Sequence, residues 1–413
     1  MILEGIRQCG KTYILKEFGN KYYKNTAYVN FEENLDIIPI FDLNLDPVRI
    51  LEELSARLKM KIDERTLIIF DEIQTCGKAL TSLKYFNEKM PQYNIVCAGS
   101  LLGLLHSTPT SFPVGNVEFL KMYPLSFPEF MAAMGEEKMC RYIGFLSKDE
   151  TISDTFFTTL NKLYLEYCFV GGMPDAVSSW KKYHDPERVR TIQSNIIRLY
   201  QSDFAKYAPK KDVKKVMSIW SSIPGQLSKE NKKFIFGHAV EGGRARELED
   251  ALQWLIDAGM VHKVKLLSVP RIPLSAYCDP VYFKLYCADI GLLGTMANIQ
   301  FSSIVSDDAR YREFKGAMTE NYVLTELVKL NDNVPYYWRS KSDAEIDFVH
   351  MINELIIPIE VKSGSYKRLR SMERYMELYD TEKAFIVSEN KLHFGKLTSL
   401  PLPLVWKMKD YIR

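Results

Sequence analysis

The sequence has 413 residues, of which 46% are hydrophobic and 26% charged, with a formal net charge of +2. That length exceeds what one hydrophobic core normally organises, so about two to four domains are expected. The near-neutral balance reads as an ordinary soluble protein and makes no global case for nucleic acid, although local basic patches stay open. Seven scattered cysteines without C-x-x-C spacing suit a reducing cytosol better than a disulfide or zinc framework, and the six histidines form no metal pair. No stretch approaches 18 uninterrupted apolar residues and no signal-type leader is visible, so a cytoplasmic protein without membrane spans is expected.

Taken in order, the chain opens on Gly5-Ile6-Arg7-Gln8-Cys9-Gly10-Lys11-Thr12, a full match to G-x-x-x-x-G-K-[ST]. The glycines of such a loop let successive N–H groups face phosphate oxygens, and the helix that follows turns its positive end to the same anion. Residues 11–18 (KTYILKEF) supply that helix. Lys11 is expected on the β- and γ-phosphates and Thr12 on Mg²⁺, with Gly5, Arg7, Gln8, Cys9, Gly10 and Tyr13 lining the nucleotide. The bland reading is a chance Gly-Lys turn. The strand that feeds the loop is reduced to residues 1–3, so either the chain starts late or the sheet lacks part of a central strand.

Residues 26–31 (TAYVNF) read as a strand ending in Glu32 and Glu33. Asp46-Pro47 opens a helix, with Asp46 as N-cap and Ile50, Leu51, Leu54 and Leu58 as its apolar face. The run at 66–72 (TLIIFDE) is an apolar strand of the kind buried inside a parallel sheet, with two carboxylates at the end where such sheets bind ligands. Asp71 is expected to hold Mg²⁺ and Glu72 to activate the attacking water; the alternative is a buried strand ending in a solvated acidic turn. A helix around 80–87 leads to the strand 93–98, after which Gly99-Ser100 is either an ordinary turn or carries Ser100 as a sensor of the γ-phosphate. Strand–helix alternation of this kind implies an α/β fold with a parallel sheet covered on both faces, closed by a strand at 117–123 (VEFLKMY).

These residues carry a resemblance. The loop with Arg7-Gln8, the F-D-E-I-Q ending at Gln74, the A-G-S-L-L at 98–102 and the Y-P-L-S-F at 123–127 resemble a prokaryotic AAA-type P-loop ATPase family with a C-terminal domain of unknown function. The resemblance implies ATP and Mg²⁺ as cofactors. It also shows one departure: members often carry Gly-Arg before the V-E-F strand, whereas this chain has Gly115-Asn116, so an arginine acting in cis is missing there.

The resemblance implies the rest of the domain plan, with an ATPase core at 1–130 and a helical lid or linker at 131–207, broken by the turn Gly171-Gly172-Met173-Pro174. Arg188, Arg190 and Arg198 lie in the lid, and a homo-oligomer could supply an arginine in trans. A winged helix-turn-helix follows at 208–298. It comprises a helix at 246–258 ended by Gly259, strands at 261–266 and 283–286, and basic residues Lys210, Lys211, Lys214, Lys215, Arg244 and Arg246 for DNA phosphates, unless the unit is only a spacer.

The last region, 299–413, resembles a PD-(D/E)XK nuclease. Asp347 on one strand and Glu360-Val361-Lys362 on the next project to a common face, because residues two apart on a strand share a side. Glu360 and Asp347, completed by Glu320 from the helix at 314–330, are expected to bind a metal, and Lys362 to stabilise or generate the attacking hydroxide. Lys367, Arg368 and Arg370 could track DNA or RNA. A solvated Glu–Lys pair on an edge strand is the plain alternative. His350 falls on the opposite strand face from Asp347 and reads as packing or exposed. Three functions stay open: an ATPase coupled to the winged-helix and nuclease-like modules, an ATP-dependent nuclease, and a slow nucleotide switch that binds DNA or a protein partner.

Overall fold

The computed structural model describes residues 1–100, 115–146, 152–306, 308, 311–341, 343–364 and 369–412. The chain divides into two compact units, Met1–Tyr123 with Asp257–Gly259, and Pro124–Ile256 with Met260–Arg413. No helix among the described residues is long and apolar enough to cross a membrane.

The first unit is a parallel sheet of β1 (Ile2–Glu4), β2 (Asn25–Asn30), β3 (Thr66–Asp71), β4 (Asn94–Gly99) and β5 (Phe119–Lys121) in the order β2-β3-β4-β1-β5. β3 is buried along its whole length, and its alternation decides both cores. Ile68 and Phe70 enter one cluster, where the rings of Phe31, Phe41 and Phe70 meet at 5.5 to 5.8 Å with Ile50 and Leu54 of the helix Pro47–Leu58. Leu67 and Ile69 enter the other, with Leu15 of the helix Lys11–Tyr22. One expected N-cap is in place, and one expected strand is shorter than its sequence suggests. Asp46 occupies the N-cap position but its side chain makes no capping hydrogen bond, and the closing strand is only the three residues of β5, all exposed. The segment expected at 101 and 102 and the basic pair Lys367 and Arg368 lie outside the described residues.

In the second unit, helices Asp154–Val170 and Pro174–Tyr183 meet at the double glycine. Gly171 takes φ +70°, and a Cβ on Gly172 would fall 2.2 Å from the Leu125 carbonyl, so neither position tolerates a side chain. The turn is held by buried Asp289, which accepts from the Gly172 N–H at 2.7 Å while capping its own helix through the Leu292 N–H at 2.9 Å. The helix Arg312–Asn331 forms the centre, with every residue from Ala317 to Val328 buried. Its polar members are matched individually. Asn321 bridges the Cys287 N–H and carbonyl at 2.9 and 3.0 Å, and Glu326 accepts from the Phe127 N–H at 3.3 Å and from Lys329 at 3.0 Å.

The sheet of this unit changes the expected domain plan. β6 (Val261–Leu267) and β7 (Cys278–Cys287) form the anticipated hairpin, but β6 also pairs in parallel with β8 (Tyr336–Arg339). With β9 (Glu345–Ile352), β10 (Leu355–Val361), β11 (Ala384–Ser388) and β12 (Leu397–Pro401) they build one seven-stranded mixed sheet, β12-β11-β10-β9-β8-β6-β7. The boundary expected at 298/299 therefore crosses a continuous sheet. The hairpin buries the edge that β8 would otherwise present.

Asn321→Ala tests the central helix. Leaving the Cys287 backbone groups buried without partners should cost about 2–3 kcal/mol, read as a lower midpoint in denaturant unfolding.

Candidate active site

β1 ends where the loop begins, and Gln8 at φ 67° and Gly10 at φ 98° turn the backbone left-handed. Such turns point consecutive N–H groups into one concavity, the geometry of an anion nest. Gly5 is tightly packed, because a Cβ there would meet the Met122 carbonyl oxygen at 2.3 Å. Cys9 is fully buried, and burial pushes its thiol above the ordinary value. Arg7 pairs with Glu32 at 3.6 Å, while Tyr13 is 71% exposed on the helix surface. The buried Lys11 ammonium donates to the carbonyls of Gly5 at 2.8 Å and Ile6 at 3.0 Å, which puts it inside the loop it follows.

Thr12 and Asp71, 59 residues apart, meet across this concavity: the Thr12 hydroxyl donates to Asp71 Oδ2 at 2.6 Å. The same carboxylate accepts from the Tyr28 hydroxyl at 2.9 Å and, on Oδ1, from the Glu72 N–H at 3.0 Å. Burial and the adjacent Asp71 push the Tyr28 phenol well above its ordinary range, so it acts as a donor throughout the physiological range. Lys16 covers the Tyr28 ring at 3.6 Å from its centroid. Glu72 sits at φ 50°, ψ 44°, a conformation that costs a non-glycine residue about 1–3 kcal/mol and that collects at functional sites. Its Oε2 accepts from Gln74 Nε2 at 2.5 Å and from Ser100 Oγ at 3.2 Å. Gln74 Oε1 is buried without a hydrogen-bond partner.

Thr12, Asp71, Glu72 and Ser100 are thus brought together with Lys11 and the loop. Tyr28, Lys16 and Gln74 join them without having been singled out as site residues. Alternation along TAYVNF puts Tyr28 on the face opposite Ala27 and Val29; its partner follows only from β2 lying beside β3. A hydroxyl and a carboxylate in contact, beside a phosphate nest, fit Mg²⁺, which takes one or two protein oxygens and fills its shell with phosphate and water.

At the position where the resemblance leads one to expect arginine, Asn116 Oδ1 accepts from Asn87 Nδ2 at 2.9 Å. Arg190 is half-buried within the second unit, stacked on Phe169 at 4.2 Å and bonded to Gln193 at 2.9 Å. Arg188 pairs with Asp185 at 3.2 Å, and Arg198 is exposed.

The second expected site lies in the second unit. β9 and β10 run antiparallel and set Asp347 beside Glu360, and the Val361 N–H donates to Asp347 Oδ2 at 2.8 Å. Lys362 holds Glu360 Oε1 at 2.7 Å, leaving buried Oε2 without a partner. Glu320 accepts from Lys232 and, at 2.9 Å, from the Tyr286 hydroxyl. Buried Lys284 pairs with Glu345 at 2.6 Å. Burial favours a neutral Glu320, but Lys232 and Lys284 outweigh it and hold the carboxyl below its ordinary value. Burial and then the neighbouring Glu320 push Asp347 up.

Each expected metal ligand therefore already has at least one protein donor, with Glu360 Oε2 left over, and among the described residues no three His, Cys, Asp or Glu side chains are disposed to hold a metal ion. The expectation that Glu320, Asp347 and Glu360 form a ready metal set is corrected accordingly. Lys232, Lys284 and Tyr286 come from a region read as winged helix, and only tertiary packing brings them here. His350 is buried, and burial followed by Lys409 drives it down to about 4, so it is a neutral packing residue.

Residues 1–131 match a family model described as an AAA domain, in keeping with the parallel sheet and the phosphate loop of the first unit. The chain continues into two domains of unknown function, DUF8612 over residues 161–303 and DUF4143 over residues 315–405. The changeover between them falls within the second unit, whose sheet draws strands from both sides of it.

An uncharacterized protein of Methanocaldococcus jannaschii is 22% identical over 96% of this chain and 83% of its own length. One of Haemophilus influenzae is 26% identical over 56% of this chain and 53% of its own. Among solved structures, a Walker-type ATPase of Pyrococcus abyssi is similar at 14% identity and TM-score 0.44, covering 72% of this chain and 90% of the other. The Aeropyrum pernix ORC2 protein is similar at 13% identity and TM-score 0.39, covering 74% and 88%.

Gly5→Ala probes the loop. The forced displacement of the Met122 carbonyl should destabilise the protein by about 1–3 kcal/mol, measurable as a lower thermal midpoint without nucleotide.

Proposed function

We propose that the first unit binds ATP with Mg²⁺ and hydrolyses it. The observation that carries this reading is the 2.6 Å bond between Thr12 and Asp71 at the mouth of the phosphate nest, with Glu72 on the next residue. Nucleotide phosphates would take the place of the Gly5 and Ile6 carbonyls as partners of Lys11, and the loop N–H groups would hold the same oxygens. Thr12 and Asp71 would hold Mg²⁺, which when bound neutralises charge between the β- and γ-phosphates. Glu72, fixed through Oε2 by Gln74 and Ser100, orients the attacking water and accepts its proton. Ser100 thereby couples the state of the γ-phosphate to the catalytic base.

A second reading, a slow switch that needs help to turn over, draws support from Asn116, whose amide is bonded to Asn87 where an arginine would act in cis. An arginine from a neighbouring copy would make turnover per chain rise with protein concentration. In the second unit, Lys210, Lys211, Lys214, Arg244 and Arg246 are exposed cations suited to nucleic-acid phosphates. We read the C-terminal carboxylate site as nuclease-like in fold, with cleavage left to experiment.

Steady-state hydrolysis and equilibrium binding of a fluorescent ATP analogue test the assignment. Glu72→Gln should lower turnover by about 10²–10⁴-fold while binding persists, and Lys11→Ala should lose binding. Full affinity in Lys11→Ala, or full turnover in Glu72→Gln, overturns the reading.

A further inference from the structure

We infer that Lys232 is the resident cation of the carboxylate site in the second unit and that, while it is seated, the site takes no divalent metal. The inference rests on reading that site as nuclease-like in fold.

Four carboxylates, Glu320, Glu345, Asp347 and Glu360, face three ammonium groups, Lys232, Lys284 and Lys362. Lys284 and Lys362 extend from β7 and from the end of β10, so the sheet supplies them whatever else moves. Lys232 is different. It lies in the short connection after the helix Val213–Leu227, at φ 46°, a left-handed conformation unfavourable for a side-chain-bearing residue. From there its ammonium reaches Glu320 Oε1, and only 17% of its side chain stays exposed.

The helix Arg312–Asn331 makes room for it. Gly316 lies four residues before Glu320 and hence on the same helical face. A Cβ at Gly316 would stand 3.7 Å from Lys232 Nζ, and any longer side chain would fill the path the lysine takes. The other Glu320 oxygen is taken by Tyr286, and one Asp347 oxygen by the Val361 N–H.

A divalent ion entering this site would meet three ammonium groups in a medium that screens poorly, and would have to displace the one that holds Glu320. Removing Lys232 frees that carboxylate and leaves four carboxylates facing two lysines. Glu360 Oε2, already buried without a partner, then has a cation to coordinate. Lys232 thus decides whether the site takes a divalent ion.

The test is Mn²⁺ binding by the nucleotide-free full-length protein, followed by the electron paramagnetic resonance of free Mn²⁺. Every protein carries Asp71→Asn, so that the first unit contributes no site. Lys232→Ala, and Lys232→Met as the variant that keeps the packed stem, should each gain one Mn²⁺ site at least tenfold tighter than any in the parent. Adding Asp347→Asn should abolish it. Lys232→Arg, which keeps the charge, should behave as the parent, and circular dichroism verifies that each variant is folded.

Equal tight binding by parent and Lys232→Ala overturns the inference while leaving a metal-dependent nuclease reading intact. Absence of a gained site in folded Lys232→Ala and Lys232→Met overturns the inference and counts against that reading as well. A gain in Lys232→Arg equal to that in Lys232→Ala also overturns it.

Discussion

The first unit is arranged around the contact between Thr12 and Asp71. β1, which launches the phosphate loop, is separated from β3 by β4, so the two strand ends lie about 10 Å apart at the usual spacing. A loop that curls back over the intervening strand and starts a helix there closes that gap, and Thr12, in the first turn, ends within 2.6 Å of Asp71. Left-handed residues at Gln8 and Gly10 supply the curl, and the lack of a side chain at Gly5 lets the loop lie against Met122. The apolar alternation of β3 serves the same end: with both faces of the strand anchored in core, its carboxyl end cannot shift.

Around that contact, neutral donors do the positioning. Tyr28 and the Glu72 N–H share Asp71 with Thr12, and Gln74 and Ser100 converge on one oxygen of Glu72. Rigid donors of this kind set the direction of a carboxylate at little entropic cost when ligand arrives. The left-handed Glu72 backbone is strain held by this surrounding network.

The second unit treats its charges differently. Glu320, Glu360 and Lys284 are nearly inaccessible, and burying ions costs several kcal/mol each unless every one finds a partner. The partners are distributed over four elements, and no short segment could satisfy them. Such a network adds little net stability, since well-packed apolar residues would serve as well. Its value lies in tying the helix Arg312–Asn331, the hairpin of β6 and β7, and strands β9 and β10 into one arrangement. The same logic appears in Asn321 and Asp289, buried polar groups whose partners come from other elements.

The sequence by itself determined what is local. The glycine-rich loop with its lysine and threonine, the apolar strand with an acidic tip, the double-glycine turn and the strand-borne Glu360 and Lys362 are runs of a few residues whose chemistry and periodicity need no distant partner. Tertiary structure alone decided the rest. It placed β2 beside β3, so that Tyr28 reaches Asp71, and joined β6 to β8, so that a hairpin readable as part of a separate unit extends the C-terminal sheet. It also brought Lys232 to Glu320 across 88 residues of chain, turning an expected metal set into an ion network. The physical reason is common to all three: periodicity reports which face of an element is buried, whereas the lateral order of strands and the pairing of buried charges depend on which distant surfaces meet.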